Sequence, residues 1–270
     1  MNLAFVSTMN ERLYNFYGRT FLFEFAKYAS KDIKLFIIFE GEYPEETINI
    51  SENIIIIPLL SEEHRKFIKY FGALQEARGL KIKIFFDQGE QKINFRPDYR
   101  FDAIRFSFKP FAIHQSLQYI PRDIDYLIWT DADLRCKKKF ETNDMIAFLP
   151  QNNEVMTYLG RKESYSECGF LGFNLKNKIT KEYINRIIEI YSTGEIFSLD
   201  QWHDSYIWDY ARIEFEKNDE IKFKDISGDG FNYEHVYIKS GLDNFFDHLK
   251  GPIRKKEGKS SKEDHSKLIS

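Results

Sequence analysis

Tyr126-Leu127-Ile128-Trp129-Thr130-Asp131-Ala132-Asp133 is the stretch on which the reading of the fold turns. Four apolar or aromatic residues in succession predict a buried strand over 125–130. The chain then passes directly into two carboxylates separated by one small residue, Ala132. In an open α/β sheet, ligands bind beyond the carboxyl ends of the strands. Asp131 and Asp133 therefore stand where a substrate is expected. Two carboxylates held that close repel each other unless a cation or a proton compensates. Hard oxygen donors favour Mg²⁺ or Mn²⁺, and such a cation neutralises a diphosphate and stabilises it as a leaving group. The plainer reading is a solvated turn at a strand end; the mid-chain position after a buried strand favours the ligand-binding one.

Outward from this stretch, apolar runs at 3–7, 34–40 and 53–58 predict three further buried strands. Helical spacing predicts a helix over 13–28, with Phe16, Phe21, Phe25 and Tyr28 facing inward. Ser61 ahead of Glu62 and Glu63 reads as a helix cap. The mixed, charged segment 76–98 is expected to be a mobile loop or a short helix. A long amphipathic helix is expected over 99–119, kinked at Pro110. Strands over 154–159 and 169–175 and helices over 179–191 and 201–215 complete the pattern. Strands alternating with helices imply βαβ units and an α/β fold with a mainly parallel central sheet. One domain over 1–258 is expected, with a nucleotide-side half to about residue 135 and a mixed acceptor-side half over 136–258. A flexible, charged tail follows over 259–270.

The 270 residues suit one α/β domain, and a net charge of −3 gives no basis for nucleic-acid binding. Two cysteines, Cys136 and Cys168, are too few for a disulfide framework and suggest buried thiols from a reducing compartment. No apolar run approaches the ~20 residues that cross a bilayer, and the first residues carry no signal-peptide pattern. A cytoplasmic enzyme is expected, with peripheral membrane contact left open. The abundant Phe and Tyr predict an aromatic-rich core, with some rings available to line a sugar or base pocket.

Near the C-terminus, Asp247-His248-Leu249-Lys250-Gly251-Pro252-Ile253-Arg254-Lys255 combines a His, a Gly three residues on and a basic residue three further. A neutral imidazole supplies a third metal ligand. A Gly lets backbone approach phosphate closely, and an Arg forks onto phosphate oxygens.

Together the two motifs resemble the family-eight retaining glycosyltransferases, the glycogenin and lipopolysaccharide galactosyltransferase group. That family carries D-x-D after a strand and H-x-x-G-x-x-K near the C-terminus. His248, Gly251 and Arg254 match the second motif with Arg in place of Lys, and the family's following Pro-Trp is absent. The resemblance covers most of residues 1–256 as scattered motifs and implies a GT-A fold. It implies a Mn²⁺ or Mg²⁺ on Asp131, Asp133 and His248. It assigns to the nucleotide side Val6, Ser7, Thr8, Asn10, Arg105, Lys109, Asp131, Ala132, Gly251, Arg254 and Lys255. Arg105 and Lys109 lie one helical turn apart and are expected to face the phosphates. Asp200, Gln201 and Glu167 are implied to hold the sugar or the acceptor. The implied partners are a nucleoside-diphosphate sugar, UDP favoured, and a glycan or other hydroxyl acceptor. Retention at the anomeric carbon follows from the resemblance alone.

Three rival readings fit these residues less well. A haloacid-dehalogenase-like phosphatase also ends a strand in D-x-D, but near the N-terminus and with Thr or Val where Arg135 stands here. A nucleotidylyltransferase opens with a Gly-rich loop, and residues 5–12 contain no Gly. A catalytically inactive sugar-binding or scaffold protein has no need for Asp131, Asp133 and His248 together.

Overall fold

In the first strand, successive side chains feed two different cores. Leu3, Phe5 and Met9 join one apolar cluster, and Ala4 and Val6 the other. Successive residues of a strand point to opposite faces, so this strand is covered on both sides, as parallel strands are. The computed structural model describes residues 1–45, 50–87, 90–228, 236–249 and 251–257. The expected tail over 259–270 lies outside the described residues.

The strands are β1 (Leu3–Asn10), β2 (Lys34–Glu40), β3 (Ile54–Pro58), β4 (Leu80–Asp87), β5 (Glu90–Pro97), β6 (Tyr126–Thr130), β7 (Leu134–Cys136), β8 (Glu154–Arg161), β9 (Ser164–Asn174), β10 (Lys222–Asp225) and β11 (Phe246–His248). Seven of them form one sheet in the order β10-β8-β9-β6-β1-β2-β3. The four strands from β3 to β6 are mutually parallel. β9 runs antiparallel to both β6 and β8, and β10 is parallel to β8. The sheet is thus mainly parallel, Rossmann-like on the β1–β3 side and mixed beyond β6, as expected. The chain moves outward from β1 to β2 and β3, then returns to the other side of β1 as β6. The strand order therefore reverses between β1 and β6, and the carboxyl ends of these two strands flank the crevice where ligands bind in such sheets.

Helices cover both faces. Helix Arg19–Tyr28 buries Phe21, Leu22 and Phe25 against Phe5 and Ile128. On the other face, helices Glu62–Phe71, Ala103–Ser116, Lys178–Ser192 and Asp204–Glu216 contribute Phe67, Phe111, Ile187 and Ile207 to the cluster holding Trp129. Each fully buried side chain of this size stabilises the fold by roughly 1.5–3 kcal/mol. Cys136 and Cys168 are free and buried. Among the described residues no helix is long and apolar enough to cross a membrane.

The structure differs from the sequence reading in three places. Segment 76–98 holds an antiparallel pair, β4 with β5, after one short turn of helix. Its Lys81-Ile82-Lys83-Ile84 run alternates with the period of a strand, a signal that the mixed charge of the segment obscures. The helix expected over 13–28 contains a π-helical segment, Tyr14–Gly18, before Arg19–Tyr28 begins. The wider turn shifts the facing pattern, so Tyr14 and Gly18 are buried while Phe16 is 51% exposed. A Cβ at Gly18 would stand 2.7 Å from Met9 Sδ, so the Met9 side chain would have to shift. The helix expected over 99–119 is Ala103–Ser116, with Pro110 inside it, and starts where Asp102 Oδ1 accepts a hydrogen bond from Arg105 N. Ser61 caps its helix as expected, accepting from His64 N at 3.2 Å.

Candidate functional site

β6 delivers Asp131 and Asp133 to the reversal point of the sheet. Asp131 N donates to Gly169 O of β9, and Leu134 N donates to Asp131 O, so the chain turns sharply through the two carboxylates. β7 then pairs antiparallel with β11, placing His248 opposite Leu134. That pairing brings a residue from the end of the domain beside Asp133. One ligand atom from each of Asp131, Asp133 and His248 lies within 4.8 Å of the others. His248 Nε2 is 3.3 Å from Asp133 Oδ1. Asp133 and His248 are only 5% and 8% exposed.

These residues suit a divalent cation. Ligand atoms around one small cation at about 2.0–2.6 Å stand no further apart than roughly 4–5 Å. Two carboxylates and an imidazole match Mn²⁺ or Mg²⁺ in donor chemistry. Asp133 Oδ1 is sealed from solvent and accepts no well-aligned hydrogen bond, an arrangement that is costly without a cation near it.

Protein cations surround the carboxylates. Lys109 Nζ lies 2.9 Å from Asp131 Oδ1 and 2.6 Å from Asp204 Oδ2, and donates to Cys168 O at 2.8 Å. All three of its donors are therefore engaged. Burial alone would lower the Lys109 ammonium, but Asp131 and Asp204 outweigh it and hold it well above its ordinary value. Trp129 Nε1 adds a hydrogen bond to Asp131 Oδ1 at 2.9 Å. Lys255, on the short helix Pro252–Glu257, pairs with Asp133 and stands over the Tyr17 ring. Burial would raise the Asp133 carboxyl, but His248 and Lys255 pull it below the usual carboxylate range. Burial would lower the His248 imidazole, but Asp133 reverses this and raises it. Tyr17 reaches the site from the π-helical segment. Its phenol is pushed well up by burial and by the charges of Asp133 and Asp131.

The remaining candidates are distributed as follows. Val6 and Ser7 are fully buried in β1, and Ala132 is buried at the turn. Thr8 Oγ1 donates to Ile38 O at 2.7 Å and to Glu40 Oε1 at 3.1 Å, and Asn10 Nδ2 donates to Glu40 Oε2 at 3.0 Å. Arg105 is exposed, and its positive charge acts on Tyr17. Lys109, expected with Arg105 to face phosphates, is turned to the carboxylates of Asp131 and Asp204. The interior holds acids that a sequence pattern does not display. Gly251 has φ +89°, a conformation that favours glycine, and Arg254 is half-buried on the helix that follows. Glu167 lies behind His248, with Oε1 3.9 Å from Nδ1. Asp200 is exposed. Gln201 belongs to a polar chain under a group of tyrosines. Tyr206 N donates to His203 Nδ1 at 3.3 Å, which puts the His203 proton on Nε2, 2.9 Å from Gln201 Oε1. Gln201 Nε2 then donates to Tyr165 Oη at 3.4 Å, and Tyr165 meets Tyr206 edge-on.

Five participants were not singled out from sequence: Tyr17, Glu40, His64, Arg161 and Asp204. Glu40 ends an apolar strand as Asp131 follows one, so the strand-end rule that found Asp131 applies equally to it. Asp204 opens a helix three residues after Gln201, where an acid suits the helix dipole. Tyr17 had no local signal, because a π-helical turn leaves no readable period.

Beside Asn10 and Glu40 lies an open cleft of about 350 Å³, lined also by Leu59, His64, Arg65 and Phe108. His64 Nε2 is 2.9 Å from Ser107 Oγ, and burial brings its imidazole down to about 4. A depressed histidine leaves stability whole above the unfolded value of about 6.5 and erodes it as pH falls from there toward 4, because only the unfolded chain takes up the proton. The loss expected from His64 is roughly 2–3 kcal/mol. Urea unfolding at pH 7 and pH 4.5 should show a smaller pH-induced drop in His64→Phe than in the wild type. Equal drops would remove His64 from the account.

No known family profile matches the sequence, and no curated protein sequence matches it. A solved glycosyltransferase involved in the glycosylation of the major capsid of PBCV-1 is similar in structure, with a TM-score of 0.53. It is 13% identical, and the match covers 96% of this chain and 98% of that one. The apo form of mouse xyloside xylosyltransferase 1 overlaps with a TM-score of 0.46 at 13% identity, over 84% of this chain and 86% of that one, a likeness too low to carry weight. The viral enzyme and the strand order together establish the GT-A fold.

Proposed function

We propose that this chain is a metal-dependent glycosyltransferase moving a sugar from a nucleoside-diphosphate sugar, UDP-linked in the favoured case, to a hydroxyl of a glycan or other acceptor. The observation that carries the reading is the convergence of Asp131, Asp133 and His248 at the reversal point of a GT-A sheet. Those three residues would hold a Mn²⁺ or Mg²⁺, which when bound supplies positive charge to a departing diphosphate.

The chain's own groups divide the remaining work. Lys109 and Trp129 fix the Asp131 carboxylate, so one oxygen is committed to them and the other is left for a ligand. Lys255 places an ammonium at the carboxylate pair, where it would stabilise charge as the diphosphate leaves. Arg254, on the same helix, and Arg105, at the rim, would add to that field. Gly251 supplies the positive φ from which that helix starts. The cleft at Glu40 and His64 would take the nucleoside. Thr8 and Asn10 orient the Glu40 carboxylate toward ribose or base donors, and Phe108 offers a ring face. Gln201, held by neutral His203, would present its amide beside Tyr165 and Tyr206 to a sugar hydroxyl, with Asp200 exposed nearby. Membership of family eight, retention at the anomeric carbon and work in a reducing compartment such as the cytoplasm rest on the motifs and on the two free thiols.

Thermal unfolding in the presence of Mn²⁺ and a panel of nucleoside diphosphates tests the reading. A nucleotide at about 100 times its dissociation constant stabilises by about 2.7 kcal/mol. At least one nucleotide should raise the midpoint with Mn²⁺, and less so in EDTA. No response to any nucleotide would contradict the proposal.

A further inference from the structure

The imidazole of His248 is spanned between two carboxylates. Its Nε2 faces Asp133 Oδ1 at 3.3 Å, and its Nδ1 faces Glu167 Oε1 at 3.9 Å. Glu167 is buried and does not stand alone. Its Oε2 is 3.4 Å from Arg161 Nη1, and its Oε1 accepts from Gly169 N at 3.2 Å. Arg161 is fixed in turn, donating from Nε to Tyr165 O at 2.5 Å and from Nη2 to Ser166 O at 2.9 Å. The guanidinium thus straps the end of β8 to β9 and presents one remaining nitrogen to Glu167. Gly169 completes the seat. A Cβ there would stand 3.0 Å from His248 Cε1, 3.2 Å from Nδ1 and 2.9 Å from Tyr237 Oη. A side chain at this position would push the His248 ring and the Tyr237 hydroxyl away from β9.

We propose that Glu167, held by Arg161, is the positioning residue that orients His248 toward a divalent cation, with Gly169 as the seat of the ring. The inference rests on reading Asp131, Asp133 and His248 as a cation site. When Nε2 ligates a cation, the single proton of the neutral ring sits on Nδ1, where the Glu167 carboxylate faces it. A histidine that ligates a metal through one nitrogen commonly turns the other toward a carboxylate, and loss of that partner costs about 10–100-fold in metal affinity. At 3.9 Å the Glu167 contact is electrostatic and not a closed hydrogen bond, and it would tighten as the Nδ1 proton is fixed by cation binding at Nε2. The role differs from direct contact with the acceptor, because Glu167 acts on the reaction only through His248.

The test is binding of Mn²⁺ alone, read as the loss of the free-ion electron paramagnetic resonance signal on titration of the full chain. Glu167→Gln keeps the shape and should weaken Mn²⁺ binding about 10–100-fold, while Glu167→Asp, which retains the carboxylate, should recover part of it. Gly169→Ala should weaken binding as well by displacing the ring. Equal Mn²⁺ affinity in the wild type and Glu167→Gln would overturn the role of Glu167 and leave the cation site standing. A wild-type chain that binds no Mn²⁺ would overturn both, and is thereby distinguishable. Should Glu167→Gln fail to fold, long-range ¹⁵N NMR of the wild type saturated with diamagnetic Mg²⁺ decides. A His248 proton on Nδ1 supports the proposal, and a proton on Nε2 overturns it.

Discussion

Asp133→Asn should lower transfer by about 10³-fold or more while leaving the fold intact. The substitution preserves shape and removes one of the two anionic donors of the candidate cation site. A Lewis-acid cation supplies several kcal/mol of charge stabilisation, and each 1.36 kcal/mol is tenfold in rate. Stability should fall without loss of the fold, because the depressed Asp133 carboxyl shows that its pairing with His248 and Lys255 outweighs its burial. Asp133 loses its pairing with Lys255 and His248, but its repulsion with Asp131 is also relieved. Steady-state turnover with a responding donor, read beside far-UV circular dichroism and the urea midpoint, checks both halves. Turnover within a few-fold of wild type in a folded Asp133→Asn protein would remove the cation from the mechanism.

Lys109→Met should be the most destabilising single substitution at the site, by about 3 kcal/mol. Removing one partner of a buried ionic cluster leaves the others uncompensated, and here the ammonium stands between Asp131 and Asp204. Asp204 is almost wholly buried, whereas Asp131 keeps some solvent access, which moderates the cost. Adding Asp204→Asn to Lys109→Met should restore at least about 1 kcal/mol, since it removes the more deeply buried stranded charge. Urea unfolding of the two variants at pH 7 measures both numbers. An unchanged midpoint in Lys109→Met would show that the cluster is not coupled as the distances indicate.

What could be read in advance follows from how local the signals are. β1, β2, β3 and β6 announce themselves because strands buried on both faces are near-continuous apolar runs, and alternation with helices implies the parallel half of the sheet. Asp131 and Asp133 were visible from their place at a strand end, and His248 from its spacing to Gly251 and Arg254. The reason these meet, the antiparallel pairing of β7 with β11, joins segments more than 100 residues apart and leaves no mark in either. Lys109 shows the same limit from the other side. Its spacing to Arg105 pointed to phosphates, but its direction is set by Asp204 and Cys168 O, which arrive from a later helix and from β9. The β4–β5 pair was missed because its alternating lysines were read as composition when they carried the period of a strand. Tyr17 was hidden by a π-helical segment, which breaks the 3.6-residue pattern used to assign facing. Glu167 was expected to hold the sugar or the acceptor; its relation to Arg161 and the His248 ring is a matter of contacts across β8, β9 and β11.

The most direct measurement is hydrolysis of a panel of nucleoside-diphosphate sugars by the full chain, with Mn²⁺ and with excess EDTA, and with Asp133→Asn as the blank. Water stands in for the unidentified acceptor, so the assay needs only the donor half of the reaction. The account predicts slow release of sugar from at least one donor, dependent on the metal and absent in Asp133→Asn. Release that persists in EDTA, or no release from any donor in the panel, would contradict it.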